Sequence, residues 1–584
     1  MGFPLRDAHR RHARKPATRR TPASTKAAQM SCRCALLILP GGHISGKDQA
    51  HGISSLRRPS MALNVLFSAP LLQGIIRGAM ALPLAIAAAG GWPSGTAAQE
   101  RSVLTYHADP GRTGNFTVPG LTFEHARGLH LDQGFEARFA GHVYAQPLYW
   151  RAPGAESGLL FVATEDDTVY ALDARTGKEV WSRVLGTPVP LSSLSCGNID
   201  PVGITGTPVI DPESEAIYLD AMVSSPDGPR HLVFALSLRD GSVLPGWPVD
   251  IADALKAKGE TFTPRDQNER GALVILDGTL YVPFGGHWGD CGPYHGWIAG
   301  IPLKDPRSVV SWSARARGGG IWAQGGVATD GKSLFFATGN TFGATDWSDG
   351  EAVFRLPPDL RRSAAAEDFF AAANWRELDR QDADLGGSNP VLLNVPAGDE
   401  VQPLALALGK DGLAYLLDRR NLGGIGGALV VKTVSSRPIR TAAAAYPADD
   451  GVFAALQAQG AGCPGQQPWS SWWRWPGSSS GGLLALKIRA GSPPSVETAW
   501  CVPLKGGGSP IVTTSGGHAN PIVWVVGAEG DNRLHGFRGD TGEPLFTGGG
   551  SGEQMSGLHH FQTLIAAEDR LYVAGDGRVY AFAY

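Results

Sequence analysis

Charge is scarce in this chain. Only 18% of its 584 residues are Asp, Glu, Lys or Arg, too few for the solvated faces of many surface helices. What basic charge exists is set apart. Residues 1–60 hold 12 Lys and Arg against Asp7 and Asp48, a balance of +10, so a total of −3 leaves −13 on the rest. A negative body argues against a nucleic-acid surface. No Cys-x-x-Cys-His occurs, which excludes covalently attached haem. Cysteines number six. Cys32 and Cys34 lie in the basic leader, and Cys196, Cys291, Cys463 and Cys501 lie in the body. An even number in a chain that reads as exported makes disulfides the expectation.

Glycine and proline are plentiful, at 78 and 42, and 43% of residues are hydrophobic. Many turns and few charged helical faces point to an all-β protein. The length exceeds one ordinary core, so a repeat architecture is expected. Residues 1–60 read as a basic disordered extension or an over-long start. Residues 61–98 are apolar, broken by Arg77, and end in Gly95-Thr-Ala-Ala98 before Gln99. This is the pattern of an export signal cut near Ala98, giving a periplasmic or secreted protein; a membrane anchor is the second choice.

From residue 99 to 584 the chain repeats itself. TVYALDARTGKEVW (168–181) and RLHGFRGDTGEPLF (533–546) each give an alternating strand, a tight Thr-Gly turn and a second strand ending in an aromatic. The turn needs glycine for positive φ, and the terminal aromatic can wedge between neighbouring sheets. Weaker copies are VFALSLRDGSVLPGW (233–247), YLLDRRNLGG (415–424) and LLALKIRAGSPPSVETAW (483–500). Four short strands recurring every few dozen residues predict an eight-bladed β-propeller of four-stranded antiparallel blades. The blades begin near His142, Gly203, Arg270, Gly319, Gly386, Ile439, Gly507 and His559, with an N-terminal strand in 128–140 closing the ring.

Between repeats, GGIWAQGGVATDGKSLFFATGN (319–340) has a glycine-rich lead-in with Trp322 and an exit with Asn340. A flat indole and an amide oxygen converging there suit a planar, metal-associated ligand. The ordinary alternative is a blade strand whose Trp fills a gap and whose Asn makes a turn. The Trp-rich stretch PWSSWWRWPG (468–477) reads as a rigid lid or packing insert, or else as a docking patch.

The Ala-x-Asp-x-x-Thr-Gly-x-x-x-Trp unit at 171–181 resembles the repeat of the quinoprotein alcohol dehydrogenase-like propellers, whose cofactor is pyrroloquinoline quinone (PQQ). That repeat is shared with non-enzymatic members, so it speaks for fold and little for function. Three further stretches are similar to the dehydrogenases. Trp322 and Asn340, 18 residues apart, match the Trp under PQQ and the Asn ligand to calcium. DRQDADLGGSNPVLL (379–393) resembles the segment bearing the catalytic Asp, which puts Asp382 or Asp384 in that role. GKDGLAYLLDRRNLGG (409–424) is similar to the strand whose basic residue touches the quinone oxygens, and Lys410 takes that place.

Two departures stand against these matches. Ser195-Cys196 replaces an adjacent cysteine pair, and GGHWGDCGPYHGW (285–297) lacks the Glu that is the family's second calcium ligand. Either Asp290 offers oxygens to calcium there, or Cys196 and Cys291 bond to each other; a Cys463–Cys501 bond is expected beside it. The resemblance implies an exported PQQ-dependent dehydrogenase of a small hydroxyl substrate, passing electrons to a separate acceptor such as a cytochrome c. The competing expectation is a non-catalytic propeller that binds an envelope component. On the first, Trp322, Asn340, Lys410 and one of Asp382 and Asp384 meet around the propeller axis. On the second, each keeps an ordinary packing, turn or surface role.

Overall fold

The computed structural model describes residues 102–459, 463–464 and 482–584. The proposed leader and export segment, and the Trp-rich stretch at 468–477, lie outside the described residues. Among those described, no helix is long and apolar enough to cross a membrane.

Eight small sheets follow one another along the chain. The first is Leu148–Trp150, Leu159–Thr164, Thr168–Asp173 and Glu179–Val184, a four-stranded antiparallel meander. The innermost strands of the next seven begin at Val209, Val274, Ala328, Val391, Ala444, Ile511 and Ile565. Each starts a few residues after the blade boundary expected from sequence. The eighth blade supplies only three strands of its own; His130–Leu131 and Ala137–Arg138 pair antiparallel with its last strand, Arg578–Ala583. One weak repeat copy ends elsewhere than a meander requires. Gly424–Ile425 leaves the fifth blade and pairs parallel with Phe370 and Ala371 of the fourth.

The repeat motif has a packing reason. Asp173 accepts from the Thr176 N–H (2.8 Å) and hydroxyl (2.7 Å), and Gly177 turns the chain at φ 77°. Trp181 then leans out of the blade and donates from its indole to the Leu238 carbonyl of the second blade at 3.1 Å. There it lies flat on Gly241, the glycine of the next turn, where a Cβ would sit 2.6 Å from the indole. Trp500 does the same on the Gly542 turn, donating to the Gly539 carbonyl at 2.7 Å. The aromatic of one blade thus requires the glycine of the next.

The hub is filled by a stretch with no strand pattern, residues 103–118. Its backbone visits the inner strands in turn. The Leu104 carbonyl accepts from Ile210, Pro110 from Thr329, Gly111 from Leu392, Thr113 from Ala445 and Gly114 from Val512, at 2.7–3.0 Å. Asn115–Thr117 then runs parallel to the seventh blade's inner strand. Arg112 is fully buried. Its guanidinium donates to the Val327 carbonyl (2.7 Å), the Leu273 carbonyl (2.9 Å) and the Thr105 hydroxyl (2.6 Å). A buried cation is tolerated there because carbonyl dipoles take its donors.

Both expected disulfides are present. Cys196–Cys291 joins the connection after the first blade to a loop of the third, with Cα atoms 5.9 Å apart, and Cys463–Cys501 lies within the sixth blade at 5.8 Å.

Candidate active site

Lead-in segments and the loops after second strands gather at one end of the hub. They enclose a cavity of about 690 Å³. Trp322, Asn340, Asp382, Asp384, Lys410 and Asp290 all line it. The lead-in and exit of the fourth blade are tied backbone to backbone: Gly339 donates to Gly320 (3.0 Å), and Gly319 donates to the Asn340 carbonyl (2.8 Å). This places the half-buried Trp322 indole beside Asn340.

The fifth blade brings the charges. Asp384 is 3% exposed. Its Oδ1 accepts from the Asn340 backbone N–H at 2.8 Å, and its Oδ2 lies 2.6 Å from the Lys410 ammonium. Asp382, at a helix end with φ 53° and a 66% exposed side chain, also holds Lys410, at 2.8 Å. The ammonium stands 5.2 Å from the Trp322 ring centroid. Burial pushes the Asp384 carboxyl above its ordinary value, with Lys410 and the Asn340 N–H pulling against that rise. Burial alone would lower Lys410, but Asp384 foremost, with Asp382, holds it above its ordinary value. The pair is therefore a fixed cation beside a carboxyl that protonates more readily than a surface Asp.

Two further acids stand behind this pair. Glu351 is wholly buried; its Oε2 accepts from the Leu385 N–H at 2.6 Å, and its Oε1 has no hydrogen-bond partner among the described residues. Burial first, and then the Asp384 charge, raise it well above the usual carboxylate range. Asp379 receives the Thr341 N–H (2.7 Å) and hydroxyl (2.8 Å), and burial raises it too. Neither was singled out from the sequence. Asp379 opens the 379–393 stretch, but Glu351 sits in a plain turn with no motif to mark it. Arg270, read only as a blade boundary, also lines the cavity. Its guanidinium lies 5.9 Å from the Tyr144 centroid and 5.3 Å from that of Phe561, and no ion pair with a carboxylate is found for it among the described residues. Arg440 adds a second cation to the wall.

The expected calcium ligands do not form a calcium cage. Asp290 Oδ1 is taken by the Tyr294 hydroxyl at 2.6 Å, beside the Cys196–Cys291 bond. Both Asp384 oxygens are engaged, one of them by an ammonium. Of these expected ligands, Asp290 Oδ2 and the Asn340 amide oxygen are the two oxygens for which no hydrogen bond is found among the described residues, against the roughly six to eight that calcium takes. A fixed cation on the central carboxylate opposes a second. The residues do not fit calcium. They do fit a flat anion: a half-buried indole on one wall, and Arg270 and Arg440, for which no carboxylate partner is found among the described residues.

Comparison with known proteins gives the fold a place. Residues 131–254 match a PQQ-repeat family model described as outer membrane protein assembly factor BamB. No curated protein matches. Among solved structures, the quinohemoprotein alcohol dehydrogenase of Comamonas testosteroni is 17% identical with a TM-score of 0.56, covering 82% of this chain and 80% of that one. The quinohemoprotein alcohol dehydrogenase ADHIIG of Pseudomonas putida HK5 is 14% identical, with a TM-score of 0.57 and the same coverages. A europium-containing methanol dehydrogenase is 12% identical, with a TM-score of 0.54 over 83% of this chain and 98% of its own. At these identities the likeness concerns architecture: the chain has the PQQ-type β-propeller fold.

Proposed function

We propose that this PQQ-type propeller oxidises an alcohol or related hydroxyl substrate with PQQ held in the 690 Å³ cavity. The observation that carries the reading is the Asp384–Lys410 pair, buried beside Trp322 and open to that cavity. Trp322 offers a flat apolar face, and Arg270 and Arg440 offer cations for ring carboxylates. When bound, PQQ supplies an ortho-quinone carbonyl that accepts a hydride. Asp384 takes the hydroxyl proton at Oδ2, its upward shift bringing its basicity closer to that of the alkoxide than a surface Asp offers. Lys410 holds positive charge at the same spot, a task a metal ion performs elsewhere. Asp382 steers the ammonium from the solvent side.

Export to an envelope compartment and a separate electron acceptor, for instance a cytochrome c, belong to this proposal. The second reading is a propeller that binds a protein or envelope polymer without chemistry. The family match at 131–254 favours it, since that match covers the first two blades and none of the cavity aspartates. Titrating the purified protein with PQQ while recording absorbance separates the two. Saturable binding of one equivalent, abolished by Trp322→Ala, supports the dehydrogenase; no binding leaves the scaffold.

A further inference from the structure

A second cluster of ligand atoms lies where the ring meets itself. His142 belongs to the lead-in of the first blade, while His559 and Asp576 belong to the eighth. His142 Nδ1 is 2.8 Å from Asp576 Oδ2, and His559 Nε2 is 2.9 Å from Oδ1 and 3.0 Å from Oδ2. The three ligand atoms all lie within 4.8 Å of one another. We propose that these three residues bind a divalent transition-metal ion of the zinc type, which clasps the first blade to the last.

The donor chemistry selects the ion. Two imidazole nitrogens and one carboxylate suit zinc and its neighbours, whereas calcium and magnesium want oxygen alone. With metal–ligand bonds of about 2.0–2.1 Å, tetrahedral ligand atoms stand about 3.3 Å apart. Each His–Asp contact therefore opens by only about 0.3–0.5 Å to admit the ion. Three protein ligands leave one position for water, and His142, with its side chain 49% exposed, gives an ion access from solvent.

The ligands are held before any ion arrives. Tyr144 stacks on the His559 ring at 4.4 Å and 22°. Asp576 Oδ1 also accepts the Val143 N–H at 3.0 Å. The backbones on either side are bonded, Phe139 to Gly577 (3.1 Å) and Gly577 to Gly141 (3.3 Å). An ion here joins residues 434 positions apart in the chain. It also steadies one wall of the cavity, because Tyr144 lies under Arg270 and His560 lines the pocket next to His559.

The test uses the purified protein, stripped with a chelator and titrated with zinc chloride alone by calorimetry, with thermal unfolding read in parallel. The expected result is one equivalent bound and a melting temperature raised by about 3 °C at a hundredfold excess over Kd. His142→Ala and Asp576→Asn each weaken binding at least ~100-fold, since losing an outer partner alone costs ~10–100-fold. His518→Ala, an exposed histidine elsewhere on the surface, leaves binding unchanged. No saturable binding, binding that survives both substitutions, or binding without a rise in melting temperature overturns the proposal.

Discussion

Asp384 and Asp382 both hold Lys410, yet burial separates their roles. Asp384 is almost wholly enclosed, whereas the Asp382 side chain is 66% exposed. Asp384→Asn keeps the shape but removes the proton acceptor, so turnover of PQQ-loaded protein is expected to fall ~10²–10⁴-fold. Asp382→Asn should cost less than tenfold. Equal losses in steady-state assays of the two variants would contradict the assignment. A second acid tests the electrostatics away from the cavity. Neither Asp167 carboxylate oxygen has a hydrogen-bond partner among the described residues, and burial, with Glu165 and Asp220 adding to it, pushes it from 3.8 up to about 8. The folded state thus keeps a proton that the unfolded chain releases. Its contribution to stability is complete below pH ~4 and is lost as pH rises through about 8. Asp167→Asn removes that titration. Urea midpoints should favour the variant increasingly from pH 5 to pH 9, and parallel curves would count against the burial argument.

At the scale of the element, the blade turn is where sequence and structure agree most closely. The Thr-Gly turn and the terminal aromatic were legible because each follows from local chemistry: positive φ, an Asp that caps the turn, and a flat ring. The structure adds that the ring and the glycine belong to different blades. Gly241 and Gly542 combine positive φ with an indole face, at φ 67° and 74°. Gly241→Ala should therefore destabilise by about 2 kcal/mol, through strain and overpacking together, measured as a shift in chemical denaturation. A loss below ~0.5 kcal/mol would mean that Trp181 has room to move. The candidate site was legible in part. Trp322, Asn340, Lys410, Asp382, Asp384 and Asp290 were picked out by resemblance to the dehydrogenase segments, and they line one cavity. Glu351 and Arg270 were not, because a buried acid in a plain turn and a cation at a blade boundary carry no local pattern. The calcium expectation came from Asn340 and Asp290, and a sequence does not reveal that the Tyr294 hydroxyl already occupies Asp290.

The whole molecule rests on a part that sequence patterning passed over. Residues 103–114 alternate in no period, since their backbone bonds are spread over six different blades and their side chains fill an axis instead of a face. Arg112 concentrates this role. Arg112→Ala leaves the Val327 and Leu273 carbonyls and the Thr105 hydroxyl without their donor, at about 1–3 kcal/mol for each buried group left unpaired. A cooperative loss of at least ~3 kcal/mol in chemical unfolding is expected, with all blades affected together; a transition confined to one end of the chain would show that the hub does not integrate the ring. The most direct measurement of the proposed function is alcohol-dependent reduction of an artificial electron acceptor by PQQ-loaded protein, with no calcium added and a chelator present. Turnover should need both PQQ and alcohol, persist under chelation and collapse in Asp384→Asn. No turnover in the wild type, or turnover that appears only when calcium is supplied, would contradict it.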